Sequence, residues 1–433
     1  MLEEVGVLKI LVIGSGGREH ALAYFLSRSS VVDRLYWTPG NAATEQIAEN
    51  PGIPVDDFEG LLKFAKKEDI NLTVVGPELP LVKGLTDYFE ENGLLVFGPK
   101  AEAAMIEGSK IFAKKLMEEA SIPTAKYESF LNFEEASRYL DKIDPPIVVK
   151  ADGLAAGKGV TICYSREEAK QTLHNYFIEK IFGESGTRVV IEEYLSGEEA
   201  TVLALCDGEV ILPMISSQDH KPVFDNDKGP NTGGMGAIAP APVVTDSVMM
   251  KVMNRIMYPL LNKLKTKGIT YRGIIYAGLM IADGEPYVVE FNCRFGDPET
   301  EVVLPLLKSD LAELLLSTSL GELSGADLAW EDGYACDVVI ASGGYPGKYE
   351  KGKVIEGIEK VERNPDSYVF HAGTKKVDNK VVTSGGRVLN IVGKGKTLKE
   401  AIDKAYKNVS LVQFENMHYR KDIGFRGLKH LNN

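Results

Sequence analysis

Glu290-Phe291-Asn292-Cys293-Arg294-Phe295-Gly296-Asp297-Pro298-Glu299 is the stretch around which the rest of the chain can be ordered. As a strand with a two-residue side-chain period, it places Glu290, Asn292 and Arg294 on one face. Phe291, Cys293 and Phe295 then face the other way, into a core. A carboxylate and an amide oxygen pointing together suit magnesium, a hard cation that shares its ligands with nucleotide phosphates. Arg294 beyond them is expected to clamp a carboxylate or an acyl phosphate in bidentate fashion. A polar surface strand would explain the alternation, but not the abrupt Gly296-Asp297-Pro298 turn.

Working upstream, Lys150 ends a strand, and Ala151-Asp152-Gly153-Leu154-Ala155-Ala156-Gly157-Lys158-Gly159 returns the chain into another, Val160 to Tyr164. Backbone N–H groups of such a loop can cover a polyphosphate while lysines neutralise it. It is not a Walker loop, which needs Gly-Lys-Ser/Thr opening a helix. An ordinary hairpin with surface lysines reads this loop equally well. Next, Glu192-Glu193-Tyr194-Leu195-Ser196-Gly197-Glu198-Glu199 sets acids on both sides of a tight turn. Backbone groups in such a hinge can read an adenine edge, and a later carboxylate can accept from ribose hydroxyls. A solvated acidic face has the same composition.

Near the amino terminus, Gly14-Ser15-Gly16-Gly17-Arg18-Glu19 follows a strand, Leu8 to Ile13, and precedes a helical stretch, His20 to Leu26. A dinucleotide fingerprint needs a small last residue, where Glu19 stands, and an acid ending the second strand, where Thr38-Pro39 stands. A phosphate at the helix N-terminus is the favoured reading, with Arg18 beside it; a tight turn without ligand is the plain alternative. His20 and His220 are assigned structural hydrogen bonds rather than catalysis.

The chain divides into three blocks. Strands at Leu8 to Ile13, Arg34 to Trp37, Leu72 to Val75 and Leu94 to Phe97 alternate with helices, which implies a doubly wound parallel sheet. Ligands of such sheets sit beyond the carboxyl ends of the strands, where Gly76-Pro77-Glu78 and the other glycine turns fall. The second block opens with a helix, Ser109 to Glu119, capped by Ser109. It continues with strands at Ile147 to Lys150, Val189 to Glu193 and Ala200 to Leu205, and a hairpin around Asp283-Gly284. The third block carries strands at Ala335 to Ala341, Tyr368 to Ala372 and Arg387 to Val392, and a helix, Leu398 to Val409. The fold class expected is α/β plus α+β, with domains at 1–106, 107–326 and 327–433.

Composition narrows the possibilities. At 433 residues the chain exceeds one hydrophobic core. A formal net charge of −13 argues against a nucleic-acid partner, which demands a basic footprint. Cys163, Cys206, Cys293 and Cys336 lack metal-ligand or redox spacing, and free thiols fit a reducing cytoplasm. No signal peptide or membrane span is expected.

Taken in order, these strings resemble the ATP-grasp superfamily: a helix with Lys110, the Lys150 strand and glycine loop, the acidic hinge, and the Glu-x-Asn strand. Arg294-Phe295-Gly296-Asp297-Pro298-Glu299 resembles more narrowly the signature of the glycinamide ribonucleotide synthetase family. The likeness extends to Gly14-Ser15-Gly16-Gly17-Arg18-Glu19-His20, Gly76-Pro77-Glu78, Gln218-Asp219-His220-Lys221, Gly229 to Gly236 and Tyr419 to Gly424. One departure is Glu301, where the family commonly has Gln.

The resemblance implies that ATP, glycine and 5-phosphoribosylamine give glycinamide ribonucleotide, ADP and phosphate through an acyl phosphate, with Mg2+ or Mn2+. It implies phosphate contacts from Lys110, Lys150 and the loop with Gly153, Gly157, Lys158 and Gly159. Adenine contacts would come from Glu192, Glu193 and Leu195, and a ribose contact from Glu199. Glu290 and Asn292 would hold the metal. Arg294, Asp297 and Asp219 would serve glycine, and Gly16, Gly17, Arg18, Gly76, Pro77 and Glu78 would serve phosphoribosylamine. A lid at about 122–192 is expected to close over ATP. The third block's glycine pairs and Arg387 either wall the substrate cleft or only pack. A monofunctional, monomeric, cytoplasmic enzyme of small molecules follows. Another ATP-grasp ligase, such as a carboxylase, is the runner-up, ahead of a nucleotide-binding sensor and a dehydrogenase.

Overall fold

In the computed structural model, residues 7–154 and 159–431 are described, so Gly157 and Lys158 lie outside the described residues. The first block builds a parallel sheet in the spatial order Val32–Pro39, Leu8–Gly14, Leu72–Val75, Val96–Phe97. Pleating sends Leu11 and Ile13 toward Leu61, Leu81 and Phe89 on one face, and Ile10 and Val12 toward Ala21, Leu22 and Leu26 on the other. Both faces are therefore covered, as a doubly wound sheet requires. Each such fully buried aliphatic side chain contributes roughly 1.5–3 kcal/mol. The order reverses between Leu8–Gly14 and Leu72–Val75, and the helices that follow these two strands carry Arg18 and Glu78 in their first turns.

The second block contributes two four-stranded antiparallel sheets. A central one runs Ile211–Pro213, Glu198–Cys206, Gly273–Ala282, Glu285–Asn292. A smaller one runs Tyr127–Phe130, Val189–Glu193, Ile147–Ala151, Val160–Cys163, and has a core of its own built from Phe130, Leu140, Val149, Leu173 and Ile191. Glu199, expected between the turn and a strand starting at Ala200, lies within the strand Glu198–Cys206, because the ladder to Gly273–Ala282 pairs it with Met280. A register shift between Gly278 and Leu279 leaves Val289 unmatched, so the chain bulges there. The helix Gly17–Leu26 begins three residues before the expected His20, because Glu19 caps it.

The third block forms an antiparallel sheet around Tyr334–Ser342, Arg387–Gly395 and Ser367–His371. That sheet also takes Gln218–Asp219 and Gly236–Ala239 from the second block. The wholly buried Gly236–Ala239 would otherwise leave its backbone groups unpaired. Asp219 is thereby fixed at the sheet edge. Among the described residues no helix is long and apolar enough to cross a membrane.

Candidate active site

A cleft of about 370 Å³ lies between the small sheet, the central sheet and the turns of the parallel sheet. Its first wall is the helix Lys110–Glu119. Ser109 caps it by accepting from Phe112 N, and Asp152 reinforces the cap by accepting from Ser109 Oγ at 2.9 Å and Ile111 N at 3.0 Å. The root of the glycine loop is thus pinned to the start of this helix. Lys110 Nζ reaches Gly153 O at 3.4 Å. Gly153 has φ of +118°, and a Cβ there would sit 2.9 Å from Ser185 Oγ.

Lys150 donates to Val289 O at 3.1 Å and pairs with Glu192 Oε2 at 2.9 Å. Lys114 pairs with the same oxygen at 3.1 Å. The second carboxylate oxygen, Glu192 Oε1, is buried with no partner among the described residues. It belongs to a residue that also lines an adjoining cavity of about 180 Å³, where Val148 and Ile162 of the small sheet oppose Leu279 and Met280 of the central one. Glu193, Tyr194 and Leu195 border this slot, as do Glu199 and Lys221. An apolar slot with one free buried acceptor suits a flat base carrying an amino group.

Farther along, Glu290 and Asn292 line the cleft. Neither side chain is engaged in a hydrogen bond or ion pair among the described residues. Among the described residues, no group of three or more His, Cys, Asp or Glu side chains could hold a metal ion. One carboxylate and one amide oxygen are a donor set fit for a cation that completes its shell from phosphate and water.

The opposite end is arginine-rich. Arg294 pairs with Glu78 at 3.3 Å and Glu107 at 3.0 Å and donates to Phe295 O. Burial opposes its charge, but Glu107 and Glu78 more than offset this and raise its pKa. Arg18 pairs with Glu19 at 2.6 Å and donates to Phe295 O at 3.1 Å. Arg387 pairs with Asp297 Oδ1 at 2.8 Å and also donates to Gly233 O and Asp297 O. Asp219 pairs with Lys221 at 3.2 Å. Burial raises its pKa to about 7, Lys221 opposing and Glu299 and Glu199 adding to the rise. Tyr276 donates to Glu299 Oε1 at 2.7 Å.

Most of the residues singled out in the sequence therefore line one continuous space: Lys110, Lys150, Gly153, Gly159, Glu192, Asp219, Glu290, Asn292, Arg294 and Asp297, with Arg18, Pro77 and Glu78. Three do not. At the helix N-terminus expected to take a phosphate, Gly16 N–H donates to the Glu19 carboxylate. A Cβ at Gly76 would fall 2.1 Å from Glu19 Oε1, so Gly76 makes room for that carboxylate. Gly17 abuts Glu301 and Asn390, where a Cβ would lie 2.5 Å from Glu301 Oε1; it is a contact between blocks. The strand Glu285–Asn292 ends at Asn292, so Arg294 lies beyond it.

Sequence reasoning missed Lys114, Glu107, Glu299 and Tyr276. Lys114 had a signal, its position one helical turn after Lys110. Glu107 had none, because only the fold brings it to Arg294. Arg387 does wall the cleft.

Two antiparallel sheets gripping a lysine-lined cleft, with an apolar slot at one end and two oxygen donors in the middle, define the ATP-grasp class. The chain belongs to the phosphoribosylglycinamide synthetase family, whose N, ATP-grasp (A) and C domains match residues 8–107, 108–300 and 335–426. It is 49% identical over 426 residues to a phosphoribosylamine–glycine ligase of Escherichia coli strain K12, covering 98% of this chain and 99% of that one. A Fusobacterium nucleatum relative of the same name is 48% identical, covering 96% of this chain and 98% of that protein. The crystal structure of the Thermotoga maritima phosphoribosylamine–glycine ligase superposes with a TM-score of 0.83 at 36% identity, covering 96% and 100% of the two chains. A biotin carboxylase from Campylobacter jejuni, at 12% identity and a TM-score of 0.74 over 99% of this chain and 95% of that one, shares the fold.

Proposed function

We propose that this chain is an ADP-forming carbon–nitrogen ligase that joins glycine to 5-phosphoribosylamine, a step of purine synthesis. The observation carrying this reading is the continuity of the cleft. The slot with the free Glu192 Oε1 opens past Lys150 and Lys110 to Glu290 and Asn292, and then to the arginines.

Glycine's carboxylate is a poor electrophile until one of its oxygens attacks the γ-phosphorus of ATP and ADP departs. The amine nitrogen of phosphoribosylamine then bonds to the acyl carbon, phosphate leaves with its bridging oxygen, and the nitrogen loses a proton. No protein nucleophile is needed, so positioning and charge neutralisation supply the catalysis. Glu192 Oε1 accepts from the adenine amino group, with backbone near Leu195 reading the same edge and Glu193 beside it. Glu199 takes the ribose. Lys110 and Lys150 neutralise phosphates, and the loop of Gly153, Gly157, Lys158 and Gly159 covers them. Glu290 and Asn292 hold a divalent cation, Mg2+ or Mn2+, which when bound neutralises phosphate charge.

Arg294 and Asp297 face glycine, with Asp219 toward its ammonium. Phosphoribosylamine rests against Arg18, Pro77 and Glu78, beside the turn of Gly16 and Gly17 and beyond Gly76. The small sheet within 122–192 acts as a lid that keeps water from the acyl phosphate. The domains are 1–106, 107–326 and 327–433. The reading extends to a cytoplasmic monomer, because four buried free thiols suit a reducing compartment, and to a chain that binds neither nucleic acid nor membrane.

The experiment is ADP release with ATP, magnesium, glycine and freshly made phosphoribosylamine, each omitted in turn. Turnover that needs all four and yields glycinamide ribonucleotide is expected. Turnover with a different acid or amine would contradict the substrate assignment.

A further inference from the structure

Lys114 has no part in the chemistry above, yet it is buried in the wall of the cleft. It extends from the helix Lys110–Glu119, whereas Glu192 and Lys150 extend from neighbouring strands of the small sheet. Its ammonium donates to Thr124 Oγ1 at 2.8 Å, and Thr124 donates in turn to Val288 O at 2.6 Å. It lies 5.4 Å from the centre of the Tyr127 ring. Lys114 thus joins the lysine helix, the segment that leads into the small sheet, and the carboxylate at that sheet's inner edge.

We propose that Lys114 is a positioning residue that keeps Lys150 available to nucleotide phosphates by sharing the Glu192 carboxylate with it. The proposal rests on the nucleotide reading of the cleft. Both ammonium groups meet the same oxygen, Glu192 Oε2, while Oε1 stays free. Two cations against one carboxylate leave a surplus positive charge beside the phosphate path. Without Lys114 the carboxylate would pair with Lys150 alone and neutralise it, and in a buried setting such a one-to-one pair is strong. Lys114 also fixes the rotation of Glu192, whose Oε1 takes no partner among the described residues.

The charge of Lys114 is itself tunable. Burial lowers its pKa to about 8, Glu192 and Glu193 opposing and Lys150 adding to the shift. The groups facing it are Glu192 and Glu193 from one strand, Lys150 from the next, and Tyr127 from a third; Lys110 lies one turn earlier on its own helix. Burial raises the Tyr127 pKa to about 12, so that phenol stays neutral as Lys114 titrates. Above about pH 8 the sharing ends, because a neutral amine no longer competes for Glu192.

The test is steady-state kinetics of the full chain with ATP varied at several pH values. Lys114→Met is expected to raise KM for ATP about tenfold while kcat falls less than about threefold. Wild-type protein is expected to show KM for ATP rising above about pH 8, and Lys114→Arg to remove that rise, since a guanidinium keeps its charge. The double variant Lys114→Met/Glu192→Gln is expected to recover part of the lost affinity, because removing the carboxylate restores the charge of Lys150 and the amide oxygen still accepts from adenine. A packing role predicts instead that the double variant is worse than Lys114→Met. That result, or a Lys114→Met KM within twofold of wild type, would overturn the proposal alone. If Lys114→Met does not fold, Lys114→Arg decides: loss of the alkaline rise supports the proposal, and its persistence overturns it. Wild-type protein without ATP-dependent turnover would overturn the nucleotide reading, and this proposal with it.

Discussion

The two ends of the cleft both carry basic side chains, but they are built differently. At the nucleotide end, Lys110, Lys114 and Lys150 stand against the single paired carboxylate of Glu192. At the far end every arginine is matched: Arg18 with Glu19, Arg294 with Glu78 and Glu107, Arg387 with Asp297. A surplus of ammonium groups attracts a polyanion that arrives and departs. Matched guanidinium pairs are close to neutral and hold geometry, as a site must that orients a small acid against an amine.

The contrast can be broken by substitution. Lys150→Met is expected to reduce kcat/KM for ATP by about 10²–10³-fold. Because Lys114 still neutralises Glu192, the thermal midpoint should move little, which calorimetry checks. Arg294→Ala is expected to lose activity and also about 3 kcal/mol of stability, because Glu107 would lose its paired cation and half-buried Glu78 would keep only Arg18 nearby; urea unfolding reads this. Equal stability losses in the two variants would erase the distinction between the ends.

Asp219 sharpens it. Ionised Asp219 is the form that can hold an ammonium, and burial has raised its pKa to about 7. KM for glycine should therefore fall by about tenfold as pH rises through that value, and Asp219→Asn should abolish the dependence.

The smallest effect is expected behind the arginine end. Glu301 and Asp337 share the Asn390 amide at 3.4 and 2.8 Å, and Glu301 Oε2 and Asp337 Oδ1 have no partner among the described residues. Burial raises the pKa of both, that of Asp337 to about 8 from 3.8. The folded state thus binds the proton more tightly than the unfolded one. The associated stability is fully present below about pH 4 and is lost as pH rises toward 8. Asp337→Asn with Glu301→Gln should flatten that slope, adding roughly 1–3 kcal/mol at pH 8 in denaturant titrations.

What the sequence made legible follows the same division. Strand periodicity found Glu290 and Asn292, and the boundaries of Val189–Glu193 and Leu398–Val409 agree with the fold to the residue. A local pattern also found Lys150, because a lysine beside a glycine loop leaves a local trace, whereas Lys110 came only from the family resemblance. The pairings of the arginines left none. Glu107 meets Arg294 and Arg387 meets Asp297 only after three sheets have packed together. The Gly14-to-Glu19 turn adds a contact that the glycine pattern did not reveal: the Glu19 carboxylate accepts from Gly16 N–H and packs against Gly14 and Gly76.

The central claim is that the cleft activates a carboxylate by phosphorylating it, and glycine labelled with oxygen-18 in its carboxylate tests this most directly. After turnover with ATP and phosphoribosylamine, mass spectrometry of the released phosphate should find one labelled oxygen per molecule formed. Phosphate without label, alongside normal formation of product, would contradict the account.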